Sequence, residues 1–448
     1  MQLKKFDGNP ADIDLLNMLM LDVRGDLRQV TIPKEYLSDK VIAEGIGFDA
    51  SNLGFAKVTD SDMVAIPDMK SGFIEITDNT QALNTLCDVF TTDGELYQQY
   101  PRAVARRTAD YLRGQKIADN ANMLVELEFY VFSDVAYETG NGHSFYEVQC
   151  PEGIGEDYRT PPRFSIQQGY HRPPPLDRFC SFRNRVVATM GAIGIPVKYH
   201  HHEVGAGQLE IELDFMPLLT VADGVTLAKW IIRKTAAEHD LCVTFMPKPL
   251  YKVAGSGMHV HQYLEKDGES LFPGSAQLNL TPLAHSYLCG ILEHSLTGSL
   301  LALTNPSTNS YKRLVPGFEA PVNATFAKAS RAAAIRIPGY LKGKDVRIEF
   351  RTGDATANIY YMLSAMVMAG IDGIKRKADP YKLGFDSMDS PQSFPLNLNL
   401  CLDGLIADRA YLEPVFPEGL LDSWIRMKRE EALHVYNAPT PQEYELYF

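Results

Sequence analysis

At 448 residues the chain exceeds one ordinary core, so two or three domains, one of them large, are expected. A net charge of −13 and a pI near 5.4 remove the basic footprint of a general nucleic-acid binder. The six cysteines (Cys87, Cys150, Cys180, Cys242, Cys289, Cys401) lie far apart with no CxxC pair, which argues against a disulfide framework and a thiolate zinc site.

The start MQLKKFDGNPADIDLL has no apolar run fit for a signal peptide. The apolar stretch 283–304 is broken by His285, Glu293 and His294, so a cytoplasmic protein with no membrane partner is expected. The first 98 residues read as a small α+β unit. A helix is predicted over 11–20, then a hairpin-like LDVRGDLRQVTIP and strands through MVAIPD and FIEIT. Pro101 opens an amphipathic helix with a basic exposed face, and the domain boundary is placed there, giving 1–98 and 99–448. Beyond it VELEFYVF is a strand, and 133–175 is a Gly- and Pro-rich connection too long for an idle turn, hence mobile or functional. Helices are predicted at 178–190, 222–239, 282–303 and 358–375. Strands carry HHHEVGAGQLEIEL, 242–245, GSGMHVHQYL and DVRIEFR, without a βαβ rhythm. The fold class is therefore α+β with a mainly antiparallel sheet.

Acidic groups recur on these strands. In VELEFYVF, alternation puts Glu126 and Glu128 on one face and Val125, Leu127, Phe129 and Val131 on the other. Glu203, Glu210, His259 and Glu349 sit in similar surroundings. If the five glutamates converge, each pair of charges ~4 Å apart repels by about 4 kcal/mol at an effective dielectric near 20. Two divalent ions would relieve that, and oxygen ligands with a single His suit Mg²⁺ or Mn²⁺. Singly, a strand glutamate more often faces water or pairs with a basic neighbour. Arg313, Arg331, Arg336, Arg347 and Arg351 add guanidinium forks suited to carboxylate and phosphate, and as a group they point to a small anionic substrate with ATP phosphates.

The segments GFDASNLGF, SDM, VELEFYVF, HHHEVGAGQLE, FMPKP, GSGMHVHQ, NPSTNSYKRLVPGFEAP, IRIP, RIEFRTGDATAN and PQEYELYF together resemble type I glutamine synthetases, in order along nearly the whole chain. The resemblance implies an N-terminal β-grasp domain, a larger catalytic domain and a homo-oligomer of two stacked hexameric rings, a dodecamer with active sites between subunits. It implies ATP-dependent joining of glutamate and ammonium through a γ-glutamyl phosphate. Glu128, Glu203 and Glu210 would hold one metal; Glu126, His259 and Glu349 would hold the other. Gly255, Arg313 and Arg351 resemble glutamate-binding positions, and Arg331, Arg336 and Arg347 the phosphate-stabilising group. Phe215 and His261 resemble nucleotide contacts. Asp49, from the adjacent subunit, matches the base that deprotonates ammonium, with Tyr170 and Glu203 completing a cation pocket, and Glu319 matches a flap glutamate that closes the site.

Several positions depart from the family pattern: Ala254, Asn52, Ser330, Tyr263, Lys198, Leu209, Gly353 and Ala355. They surround the amino-acid loop, the amine pocket and the adenine end, while the metal and arginine positions are retained. A γ-glutamyl ligase using a larger amine is therefore the alternative, and a non-catalytic ring protein a remote one. Lys57 stands near an arginine that some members use in feedback inhibition; a surface lysine on a strand is an equal reading.

Overall fold

The computed structural model describes residues 2–8, 12–54, 61–78, 80–155, 164–389 and 391–448; Lys57 lies outside them. Two sheets organise the chain. In the N-terminal part, Gln2–Lys5, Phe73–Thr77, Thr80–Thr91, Leu15–Leu21 and Leu27–Pro33 lie side by side in that order, with Ile46–Asp49 and Asp62–Pro67 joined to the long Thr80–Thr91 strand. Leu15–Leu21 runs parallel to Thr80–Thr91 and antiparallel to Leu27–Pro33.

The helix predicted over 11–20 is instead a strand from Leu15 onward. LLNMLML is apolar on both faces and sits between two partners, and a short apolar run has no period that distinguishes a buried strand from a helix. The hairpin predicted next to it is present as Leu15–Leu21 and Leu27–Pro33.

The larger part is built on a sheet in the order Val197–His202, Gln208–Leu213, Asn120–Phe132, Met258–Lys266, Ile348–Phe350, Ile335–Ile337, Phe326–Lys328, antiparallel except for the last pair. Helices Leu218–Ala237 and Ile359–Arg376 supply the apolar core, with Val221, Val225, Ile232, Leu363 and Val367 fully buried. Asn358 caps the second helix by accepting from the N–H groups of Tyr360 and Tyr361.

The helix predicted over 282–303 is broken into Pro282–Leu296 and Leu301–Thr304. Gly298 between them takes φ +89°, and a Cβ there would lie 2.8 Å from the Cα of Cys401, so the turn needs glycine. The helix Pro101–Gly114 starts at its proline, yet its basic face is not wholly exposed. Arg102 is 1% exposed and pairs with Asp68, just after the strand Asp62–Pro67, with Asp88 of the strand Thr80–Thr91 and with Asp223 of helix Leu218–Ala237, which ties the two parts together. The connection 133–175 contains a hairpin, Asp134–Thr139 with Ser144–Gln149, followed by a turn bridging Cys150 and Ile154. Among the described residues no helix is long and apolar enough to cross a membrane.

Candidate active site

Strand register decides whether the acidic groups meet. Glu126 stands opposite His259, Glu128 opposite Glu210, His201 opposite Glu210, His261 opposite Glu349, and Glu349 opposite Arg336. Directly opposed residues of neighbouring strands project to the same face, so six strands put these side chains on one surface of the sheet. Glu203 joins from the turn after Val197–His202.

These groups open onto a cavity of about 430 Å³. Thirteen of the sequence-derived site residues line it: Glu126, Glu128, Tyr170, Glu203, Glu210, Gly255, His259, Arg313, Glu319, Arg331, Arg336, Glu349 and Arg351. Phe215, His261 and Arg347 form a wall just outside. His261 Nε2 is 2.8 Å from Glu126 Oε1, Arg347 Nε donates to His261 Nδ1 at 3.4 Å, and the Arg347 guanidinium lies 5.1 Å from the centre of the Phe215 ring. Tyr263 packs beside Phe215 with ring centres 5.2 Å apart.

Asp49 is not among the lining residues. It ends the strand Ile46–Asp49 in the N-terminal sheet, where its carboxylate accepts the Ser51 N–H at 2.8 Å. Hydrogen bonds from the Ser51 backbone and side chain and from Ser61 hold its pKa below the ordinary value.

The carboxylates fall into two groups. Glu349 receives Arg336 Nη1 at 2.6 Å and Arg351 Nε at 2.9 Å, and Glu126 is 2.8 Å from both His259 Nδ1 and His261 Nε2. Burial pushes the Glu126 carboxyl upward, but His261 and the hydrogen bonds of both histidines outweigh it and hold it well below the usual carboxylate range. Burial and the Glu126 charge likewise act against Glu349, and His261, Arg351 and His259 keep it lowered.

Across the cavity the balance reverses. Burial and then the charges of Glu128 and Glu210 push Glu203 well above the carboxylate range; burial and then Glu126 and Glu128 do the same to Glu210. The nearest basic side chain among the described residues is His201, 3.5 Å from Glu210 and 3.8 Å from Glu203. Glu128 accepts the Gly257 N–H at 2.8 Å.

Buried acid held so poorly is the donor set expected of a cation site. Among the described residues, donor atoms lie within 4.8 Å of one another in Glu126, His261 and Glu349, in His201, Glu203 and Glu210, and in Glu126, Glu210 and Glu212, which links the first two sets. His259 lies 2.8 Å from Glu126 and 4.0 Å from Glu349, so both histidines of MHVH reach the first cluster. His201 had no signal in the sequence beyond a run of histidines; its register opposite Glu210 supplies one.

The arginines are anchored for anion binding. Arg313 is 3% exposed and spends its guanidinium on the carbonyls of Thr352, Gly353 and Arg351, at 2.7 to 3.3 Å. Arg336 keeps a buried Nε with no hydrogen-bond partner among the described residues. Arg331 is half exposed and lies 3.7 Å from the Glu319 carboxylate.

Comparisons with known proteins agree along the whole chain. A family model described as the glutamine synthetase β-Grasp domain matches residues 12–92, and one described as the glutamine synthetase catalytic domain matches 98–447. The chain is 38% identical to the glutamine synthetase of Frankia alni, covering 98% of this chain and 96% of that one, and 37% identical to that of Aquifex aeolicus, covering 97% and 96%. Its fold is similar to that of the Plasmodium falciparum glutamine synthetase, with TM-score 0.91, 24% identity and coverage of 99% and 100%. It is also similar to GmaS determined without ligand, with TM-score 0.81, 25% identity and coverage of 98% and 99%. The protein belongs to the glutamine synthetase family.

Proposed function

We propose that the chain is an ATP-dependent glutamate–ammonia ligase that makes L-glutamine through a γ-glutamyl phosphate. One observation carries the reading: strand register gathers a buried carboxylate cluster and four arginines, Arg313, Arg331, Arg336 and Arg351, around a single cavity. The family-wide similarity agrees with it.

In this reading Glu128, Glu203 and Glu210 hold one divalent ion and Glu126, His259 and Glu349 the other, Mg²⁺ or Mn²⁺. The raised carboxyls of Glu203 and Glu210 support the assignment, because a cation removes the repulsion that raises them. The ions, when bound, supply electrostatic stabilisation of the transferring phosphoryl group. Arg331, Arg336 and Arg347 hold phosphate oxygens, and the partnerless Nε of Arg336 is the donor best placed to gain from it. Arg313 and Arg351, with Gly255, hold glutamate so that its γ-carboxylate faces the ATP phosphate. Phosphorylation converts that carboxylate into an acyl phosphate with a good leaving group, and the amine then attacks.

Asp49 of a neighbouring copy takes the proton from ammonium, and Tyr170 with Glu203 completes the cation pocket. The exposed position of Asp49, away from the cavity of its own chain, supports an assembly in which subunits share sites. The exposed Leu446, Tyr447 and Phe448 at the end of the last helix supply further apolar surface for such an assembly, a dodecamer of two hexameric rings. Glu319, at φ +57° and exposed beside Arg331, closes the cavity over the intermediate and keeps water out. The domain boundary at 98 and a cytoplasmic location complete the reading.

An amine screen tests it. At fixed ATP, Mg²⁺ and L-glutamate, phosphate release is compared with ammonium, methylamine, ethanolamine and putrescine, and ammonium is expected to turn over best. Turnover of a larger amine with ammonium inert would reject ammonia as the substrate.

A further inference from the structure

We infer that Glu152 is a positioning residue for the amine pocket, holding Glu203 and Tyr170 in place through the ring of His202; this rests on the role given to that pocket above. Glu152 lies in the turn after the Ser144–Gln149 strand and is fully buried. Its Oε1 accepts the Arg178 N–H at 2.8 Å, and its Oε2 accepts the Gly207 N–H at 2.7 Å and meets His202 Nε2 at 2.8 Å. One carboxylate thus joins the long connection, the approach to helix Cys180–Ala192 and the turn that carries Glu203.

His202 is 1% exposed and places Nδ1 2.6 Å from the carbonyl oxygen of Glu203. A carbonyl can only accept, so Nδ1 carries a hydrogen. The ring's other nitrogen, Nε2, faces the Glu152 carboxylate. The imidazole is a bridge from a buried carboxylate to the backbone of Glu203.

The same bridge reaches Tyr170. Gly169 N–H donates to the Val204 carbonyl and His171 N–H to the His202 carbonyl, both at 3.0 Å, so Tyr170 sits between two bonds that flank Glu203. A Cβ on Gly169 would lie 2.5 Å from His202 Cε1 and 2.6 Å from the Glu203 carbonyl oxygen, which shows how closely this segment is drawn against the ring. Displacing His202 moves both walls of the pocket.

Glu152, Asp177 and His202 are close enough together to suggest a further cation site, but their atoms are already engaged. Arg183 takes both oxygens of Asp177, at 3.1 and 2.6 Å, and both oxygens of Glu152 and both nitrogens of His202 have partners. A network whose members are all satisfied is rigid, and removing one member orphans the rest.

Steady-state kinetics of the full-length protein carrying Glu152→Gln, Glu152→Asp or His202→Gln test the inference, with phosphate release read at saturating ATP, glutamate and Mg²⁺. In Glu152→Gln and His202→Gln the KM for ammonium is expected to rise about tenfold or more while the KM for ATP stays within about twofold. Glu152→Asp keeps the charge and is expected to recover part of the loss. An unchanged KM for ammonium, or equal rises for ammonium, glutamate and ATP, overturns the inference. So does failure of all three variants to fold to the wild-type assembly, because the cluster would then be a general structural element. Absence of ammonium-dependent phosphate release in the wild type would instead sink the functional reading, so the two failures are distinguishable.

Discussion

At one end of the cavity Glu349 and Glu126 are met by Arg336, Arg351, His259 and His261, whereas at the other His201 is the only basic side chain within 4 Å of Glu203 and Glu210 among the described residues. In the first group the neighbouring histidines and Arg351 outweigh burial and hold both carboxyls below the ordinary value. The second is buried acid beside buried acid, and its charge awaits a ligand. In the function proposed above, the arginine side is held before substrate arrives and a bound cation would supply the missing charge on the other side.

The largest effect is expected from Glu349→Ala, which leaves Arg336 and Arg351 facing each other without their shared carboxylate. Activity should fall by about a thousandfold or more, measured by phosphate release, and a urea midpoint should report a stability loss of about 3–5 kcal/mol for a broken buried pair. Next comes metal removal. Adding Mg²⁺ at a hundred times its Kd should stabilise the protein by about 2.7 kcal/mol, read as a rise in Tm.

That gain should depend on pH. The carboxyls of Glu203 and Glu210 titrate higher in the folded chain than in the unfolded one, where glutamate titrates near 4.3. The folded state therefore holds more protons between the two values, and these groups make the metal-free protein lose stability as pH rises from about 4.3 through the folded pKa. Mg²⁺ should stabilise more at pH 8 than at pH 5.5. An equal gain at both would remove the distinction between the two ends.

Glu210→Gln sharpens it further. Loss of one repelling charge is expected to raise metal-free stability by about 1 kcal/mol while abolishing much of the Mg²⁺ gain, the opposite sign to Glu349→Ala. Destabilisation of the metal-free protein by both variants would break the comparison. The smallest effect is expected from Arg336→Lys, which keeps the charge and loses the fork. The KM for ATP should rise by a few-fold, about 1 kcal/mol, with stability nearly unchanged.

Much of the site was legible in the chain because a strand's period of two puts Glu126 and Glu128 on the face opposite Val125 and Leu127 whatever the partners are. The hidden parts were those that depend on what packs against what. LLNMLML reads equally as helix or strand until its two neighbours are present. The basic residues of 101–114 look like a solvated face, yet Arg102 is buried among three aspartates from distant segments. Glu152 carries no motif and gains its role from Gly207, Arg178 and His202, all far along the sequence or across a turn.

The sequence by itself determined which residues could bind metal and anions, the α+β class and the family, since composition, alternation and long motifs are properties of the chain. Only the tertiary structure decided that Glu126 meets His259 and that Glu349 meets His261 and Arg336. It also decided that, among the described residues, no arginine forms an ion pair with Glu203 or Glu210, which have His201 beside them instead. Register and burial are relations between distant segments, and they set the local dielectric and neighbouring charge on which each carboxylate's proton depends.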